Sequence, residues 1–74
     1  MSLASLKKGE VATLLDYKNI STQFANRLFD VGIGIGSEVT ILNKLNFGQL
    51  LHISIDQVEF CIRTKDAKNL MVQV

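Results

Sequence analysis

The sequence predicts a small, mainly β domain: five short strands forming a closed or half-open barrel, with one α-helix between the first and second strands plugging an end. Three observations predict it. Apolar and polar residues alternate in several short runs, the period-two signature of half-buried strands. One stretch, near residues 21–32, instead repeats its apolar residues at helical spacing. One hairpin has a single register that gathers all its large apolar residues on one face.

Taken in order, Gly9 closes a polar lead-in and Glu10-Val11-Ala12-Thr13-Leu14-Leu15 reads as the first strand, ending at Asp16-Tyr17-Lys18-Asn19. Ser21 stands where a helix N-cap belongs, because its hydroxyl can accept from an orphan backbone N–H two or three residues on. Phe24, Leu28 and Val31 recur at i, i+4 and i+7, with Ala25 and Phe29 beside them, so an amphipathic helix of three turns follows. Gly32 fits the left-handed position just past the last helical residue. After it Val39 and Ile41 alternate with polar neighbours, Asn43 to Gly48 reads as a loop, and Thr64-Lys65-Asp66-Ala67 as one helical turn capped by Thr64. Leu70, Val72 and Val74 make the last strand.

The central hairpin fixes its own register. With Asp56-Gln57 as a two-residue turn, Ile55 pairs with Val58, Ile53 with Phe60, and Leu51 with Ile62, so six apolar residues share one face. Gln57 is a poor second residue for the type I′ turn this requires, and the face pattern outweighs it. The expected core is Leu28, Val39, Ile41, Ile53, Ile55, Val58, Phe60, Ile62 and Val72. Strands this short and this few make a small barrel rather than a sandwich.

Composition bounds the function. Seventy-four residues form one domain, 1–74, with residues 1–5 expected to be disordered or partly a cloning remnant. A chain of this size builds one core with little left to wall a deep cleft, which argues against an enzyme. Eight basic and seven acidic residues give a net charge of +1, and the signs alternate along the chain, which argues against nucleic acid. The single cysteine, Cys61, forms no intramolecular disulfide, and no apolar run approaches a membrane span, so a cytoplasmic protein without membrane insertion is expected.

Candidate chemistry is sparse. Gly32-Ile33-Gly34-Ile35-Gly36 follows a helix and precedes a strand, the reverse of a phosphate-cradling loop, and is read as a helix C-cap and turn. The hairpin register places His52 opposite Cys61, but two ligands fall short of the three or four that zinc takes, with Glu59 the nearest further donor. His52, Ser54 and Asp56 lie on one strand about 6.6 Å apart in steps of two residues, too far for a nucleophile and its base. No catalytic group, no cofactor and no tight metal site is expected. Exposed apolar residues are the remaining signal: Ile33 and Ile35 in the turn, Phe47 at a loop tip and Leu50 on the polar side of its strand form a candidate docking patch.

The segment Arg27-Leu28-Phe29-Asp30-Val31-Gly32-Ile33-Gly34-Ile35-Gly36-Ser37-Glu38-Val39-Thr40-Ile41 resembles the FeoA family of bacterial ferrous iron transport proteins, whose members read Arg-Leu-x-x-Leu-Gly-apolar-x-Pro-Gly-x-x-Val-x-Val there. Leu6-Lys7-Lys8-Gly9-Glu10, Phe47-Gly48, Ile62-Arg63 and Asp66-Ala67 extend the resemblance over roughly Leu6 to Val74. Two departures stand out: Ile35 occupies the family's proline position, and Gln57 replaces a glycine common in the hairpin turn. Gly36 still supplies the positive φ that a type II turn requires at its third residue.

The resemblance implies an SH3-like barrel and a non-enzymatic accessory role in ferrous iron uptake. It implies a partner, FeoB, the membrane transporter with a cytoplasmic GTP-binding part, and recruitment by it to the inner face of the membrane. The alternative it leaves open is a small transition-metal-binding or metal-sensing domain, related to the C-terminal domain of iron-dependent repressors. Only one His and one Cys are available for that role.

Overall fold

The computed structural model describes residues 1–17, 20–30 and 32–74. Five strands, β1 (Val11–Tyr17), β2 (Glu38–Leu45), β3 (Leu50–Ile55), β4 (Val58–Arg63) and β5 (Leu70–Gln73), make one antiparallel sheet in the order β4-β3-β2-β1-β5. The helix α1 (Thr22–Asp30) joins β1 to β2, and a single turn, α2 (Thr64–Ala67), joins β4 to β5. β1 pairs with both β2 and β5, which curls the sheet into a half-open barrel with α2 between its two edge strands.

The hairpin register holds at every position: Ile55 pairs with Val58, Ile53 with Phe60, His52 with Cys61 and Leu51 with Ile62. Asp56 and Gln57 both take positive φ, 50° and 70°, as a type I′ turn demands. The apolar face has won over the turn preference. Ser21 caps α1 as expected, its Oγ accepting from the Phe24 N–H at 3.1 Å. The apolar position assigned to Val31 and the turn at Lys18-Asn19 lie outside the described residues.

Leu28, Val39, Ile41, Ile53, Ile55, Ile62 and Val72 are buried, and Leu3, Leu6, Leu14, Phe24, Leu51 and Leu70 join them in one cluster. Two expected core residues differ. Val58 is 49 % exposed, and Phe60 is only half-buried against the cluster. Both lie on β4, an edge strand with a neighbour on one side only, whereas their partners Ile55 and Ile53 on β3 are flanked on both sides and buried.

The expectation of disorder at residues 1–5 is corrected. Leu3–Ser5 forms a 3-10 turn, Ser2 bridges Met71, and Leu3 is 1 % exposed. A buried leucine contributes about 1.5–3 kcal/mol, enough to hold a short segment against the barrel. β2 also runs through Asn43 to Leu45, where a loop was expected. Ile41 pairs with Ile53 but Asn43 with His52, so Leu42 is an extra residue on the strand. Such a bulge shifts the alternation by one, and a period-two reading stops there. Thr64 begins α2 and does not cap it; Arg63 holds the N-cap position, and the Thr64 hydroxyl donates instead to the Gly48 carbonyl.

Candidate functional site

The β2–β3 loop, residues 46–49, is the least ordinary part of the chain. Asn46, Phe47 and Gly48 have φ of 52°, 57° and 86° in succession. Asn tolerates the left-handed region and Gly is free there, whereas an aromatic residue pays about 1–2 kcal/mol. Phe47 gains nothing inside the fold to offset this, because it is fully exposed at 108 % of its reference area. The loop is nevertheless fixed. The Gly48 N–H donates to Leu45 O at 3.1 Å and the Gln49 N–H to Asn46 O at 3.1 Å. From the neighbouring strand end, Thr64 at the start of α2 donates its hydroxyl to Gly48 O and its N–H to Gln49 O at 2.8 Å.

Beside the loop, Leu50 pairs with Leu45 on one side and Arg63 on the other, and is half-buried. It lines a cleft of about 490 Å³ between the loop and α2, together with Arg63, Thr64, Lys65 and Lys68. A smaller notch of about 260 Å³ adjoins it between α1 and β4, lined by Ser21, Phe24, Arg27 and the same Arg63.

Of the four residues expected to form one docking patch, the structure brings together Phe47 and Leu50. Ile33 is withdrawn from the surface, at 5 % exposure. Its N–H donates to Leu28 O at 2.9 Å and the Gly32 N–H to Phe29 O at 3.0 Å, the two bonds of a Schellman ending, with Gly32 at φ +83°. In that motif the residue after the glycine packs back on the last helical turn, and burial follows. Ile35 is 65 % exposed, in a turn where the Ser37 N–H donates to Gly34 O at 3.0 Å and Gly36 has φ +94°, the type II geometry expected. That turn precedes β2 and the Phe47 loop follows it, so the two lie at opposite ends of a strand at most about 23 Å long, seven steps at 3.3 Å per residue.

Two features of this surface escape a reading of the sequence. Phe29 is 82 % exposed, not part of the buried face of α1. It lies about 100° round the helix from the buried Leu28, which carries it off the stripe that faces the core. The cations Arg27, Arg63, Lys65 and Lys68 are the second, scattered along the chain and assembled by the fold around the two depressions.

On the outer face of the hairpin His52 lies opposite Cys61, and its Nε2 is 3.0 Å from Glu59 Oε1. Among the described residues no group of three or more His, Cys, Asp or Glu is placed to hold a metal ion. Likewise, no helix among them is long and apolar enough to cross a membrane.

A family model, the FeoA domain, matches residues 1–74. The chain belongs to the FeoA family. Its fold is similar to that of the FeoA protein from Chlorobium tepidum, with a TM-score of 0.93 at 22 % identity over all of this chain and 70 % of that one. FeoA of Stenotrophomonas maltophilia, a procaryotic SH3 domain protein crystallised with zinc, matches at a TM-score of 0.81 and 25 % identity, over 99 % of this chain and 89 % of that one. A manganese-dependent transcriptional repressor shares the fold at a TM-score of 0.83 and 17 % identity, this chain covering 39 % of its length. No curated protein sequence matches the chain. The FeoA fold here is an SH3-like barrel, mainly β, as the alternation and the resemblance led one to expect.

Proposed function

We propose that this FeoA-family protein is a non-enzymatic accessory of ferrous iron uptake that docks, at the inner face of the membrane, on the cytoplasmic GTP-binding part of the transporter FeoB. One observation carries the docking role: Phe47 is wholly exposed on a backbone that disfavours it, in a loop pinned from two sides. Folding gains nothing from that arrangement, and an interface does. Binding energy concentrates in a few aromatic or apolar anchors, and an anchor ordered beforehand loses little entropy on docking. The iron-uptake setting comes from the family, supported by the names of similar proteins, such as the iron(II) transport protein A of Clostridium thermocellum.

Phe47 and Leu50 form the anchor, and Ile35, at the other end of β2, does not. Immobilised transporter GTP-binding domain should retain the wild type, while Phe47→Ser should weaken binding at least tenfold, about 1.4 kcal/mol, with unchanged circular dichroism. Ile35→Ser should leave binding within about twofold. A Phe47→Ser protein that binds as the wild type does would remove Phe47 from the interface. A wild type that binds neither that domain nor the full-length transporter with nucleotide would remove the partner.

A further inference from the structure

The net charge of +1 conceals an uneven distribution. Arg63, Lys65 and Lys68 line the cleft between the β2–β3 loop and α2, and Arg27 joins Arg63 at the adjoining notch. Half of the chain's eight basic residues therefore border these two depressions, which share Arg63. No acidic residue lines either of them. The nearest carboxylate is Asp66, which holds Arg63 through Nε alone, at 3.1 Å. Arg27 spends one N–H on the Cys61 carbonyl at 3.0 Å, and among the described residues Lys65 and Lys68 make no ion pair.

The cleft also has an apolar component. Leu50 forms part of its wall, and Asn46 and Gly48, which flank the exposed Phe47, border it. Its volume of about 490 Å³ lies within the range of small ligand sites and has room for a few side chains. Concave shape, one sign of charge and an apolar residue in the lining together select a ligand that is both anionic and apolar.

We propose that this cleft receives an extended acidic segment of a partner protein, with aspartate or glutamate carboxylates held by Arg63, Lys65 and Lys68 and an apolar side chain lodged against Leu50 and Phe47. It rests on the docking role proposed above for the partner's being a protein, and not on which transporter supplies it. Charge complementarity fixes the class of segment. SH3 grooves that take proline-rich ligands are lined by aromatic rings, whereas this depression is lined by guanidinium and ammonium groups. Arg63, preset by Asp66, offers the planar fork that grips a carboxylate in two places, and the lysines add mobile point charges. A nucleic acid is a poorer fit, since four cations beside one leucine make a short footprint for a phosphate backbone.

The test uses the whole chain and fluorescence anisotropy of a fluorescein-labelled peptide of alternating glutamate and leucine, beside a lysine–leucine peptide and a single-stranded oligonucleotide. The acidic peptide should bind, more weakly as salt rises, and the lysine peptide should not. The double variant K65E/K68E should weaken it at least tenfold with an unchanged melting temperature, while K7E/K8E, which makes the same change in net charge outside the cleft, should leave it within twofold. Equal losses in the two double variants would overturn the cleft in favour of net charge alone. Equal binding of both peptides, no binding of the acidic one, or tighter binding of the oligonucleotide through the same lysines would also overturn it. Retention of K65E/K68E by the transporter domain at wild-type strength would overturn the cleft and leave the transporter reading standing. Peptide binding without transporter binding would do the reverse.

Discussion

Two turns flank β3, and they share one backbone feature and have opposite surfaces. Asn46-Phe47 on one side and Asp56-Gln57 on the other both place two non-glycine residues at positive φ, between 50° and 70°. In each the first residue is one that tolerates the left-handed region and the second is not. At the β3–β4 end the second residue is glutamine, polar and exposed, where a hairpin tip is normally polar. At the β2–β3 end it is phenylalanine, fully exposed, and only that turn is fastened to α2 through Thr64. The same strain thus has two meanings. At Gln57 it is tolerated because the apolar face of the hairpin dictates the register, and at Phe47 it holds an aromatic ring out in water.

The comparison is broken most severely through the strand the two turns share. Ile53 is 1 % exposed at the middle of β3. Ile53→Ala should cost about 2–5 kcal/mol, against a total near 4–11 kcal/mol for a domain of 74 residues. Urea unfolding should show a large fall in midpoint with one cooperative transition. Loss of one turn's signal before the other's would mean that β3 does not couple them.

Glycine substitution separates the two meanings. Relief of left-handed strain, about 1–2 kcal/mol, is partly cancelled by the extra freedom glycine brings to the unfolded chain, about 0.5–1 kcal/mol. Phe47→Gly and Gln57→Gly should therefore each stabilise the domain by about 0.5–1 kcal/mol in thermal melts. Their effects on partner binding should part: Phe47→Gly loses at least tenfold, and Gln57→Gly changes nothing measurable. Equal effects on binding would mean that the two turns do not differ in function.

How legible each region was depends on how local its cause is. The pairing of Ile53 with Phe60 and of Ile55 with Val58 was legible because a period of two admits one register. The extension of β2 to Leu45 was not, since the extra residue at Leu42 shifts the phase of the pattern. Phe47 could be singled out as an aromatic beside a glycine in a loop, and Leu50 as apolar on a polar face. Ile33 misled for a physical reason: the Schellman ending that Gly32 announces also turns the next residue inward, which the composition of the turn does not reveal. The cationic depression was invisible because Arg27 stands 36 positions from Arg63 in the chain, and only the packing of α1 beside β4 joins them.

A third turn gives the smallest effect and the cleanest control. At Gly34-Ile35-Gly36-Ser37 the strain is carried by Gly36, at φ +94°, where it costs least. Ile35 occupies the position of a type II turn at which proline's fixed φ near −65° is already suited. Its own N–H makes no hydrogen bond among the described residues, so proline there forfeits no donor. Ile35→Pro should then stabilise by about 0.4–1 kcal/mol, chiefly by restricting the unfolded chain. It removes an exposed apolar side chain as well, and because the turn lies across β2 from Phe47, partner binding should hold within about twofold. A stabilised Ile35→Pro with wild-type binding, beside a stabilised Phe47→Gly without it, would locate the docking function at one end of β2. If Ile35→Pro instead weakens binding as Phe47→Gly does, the interface spans both ends of the barrel, and the contrast between the turns narrows to their backbones.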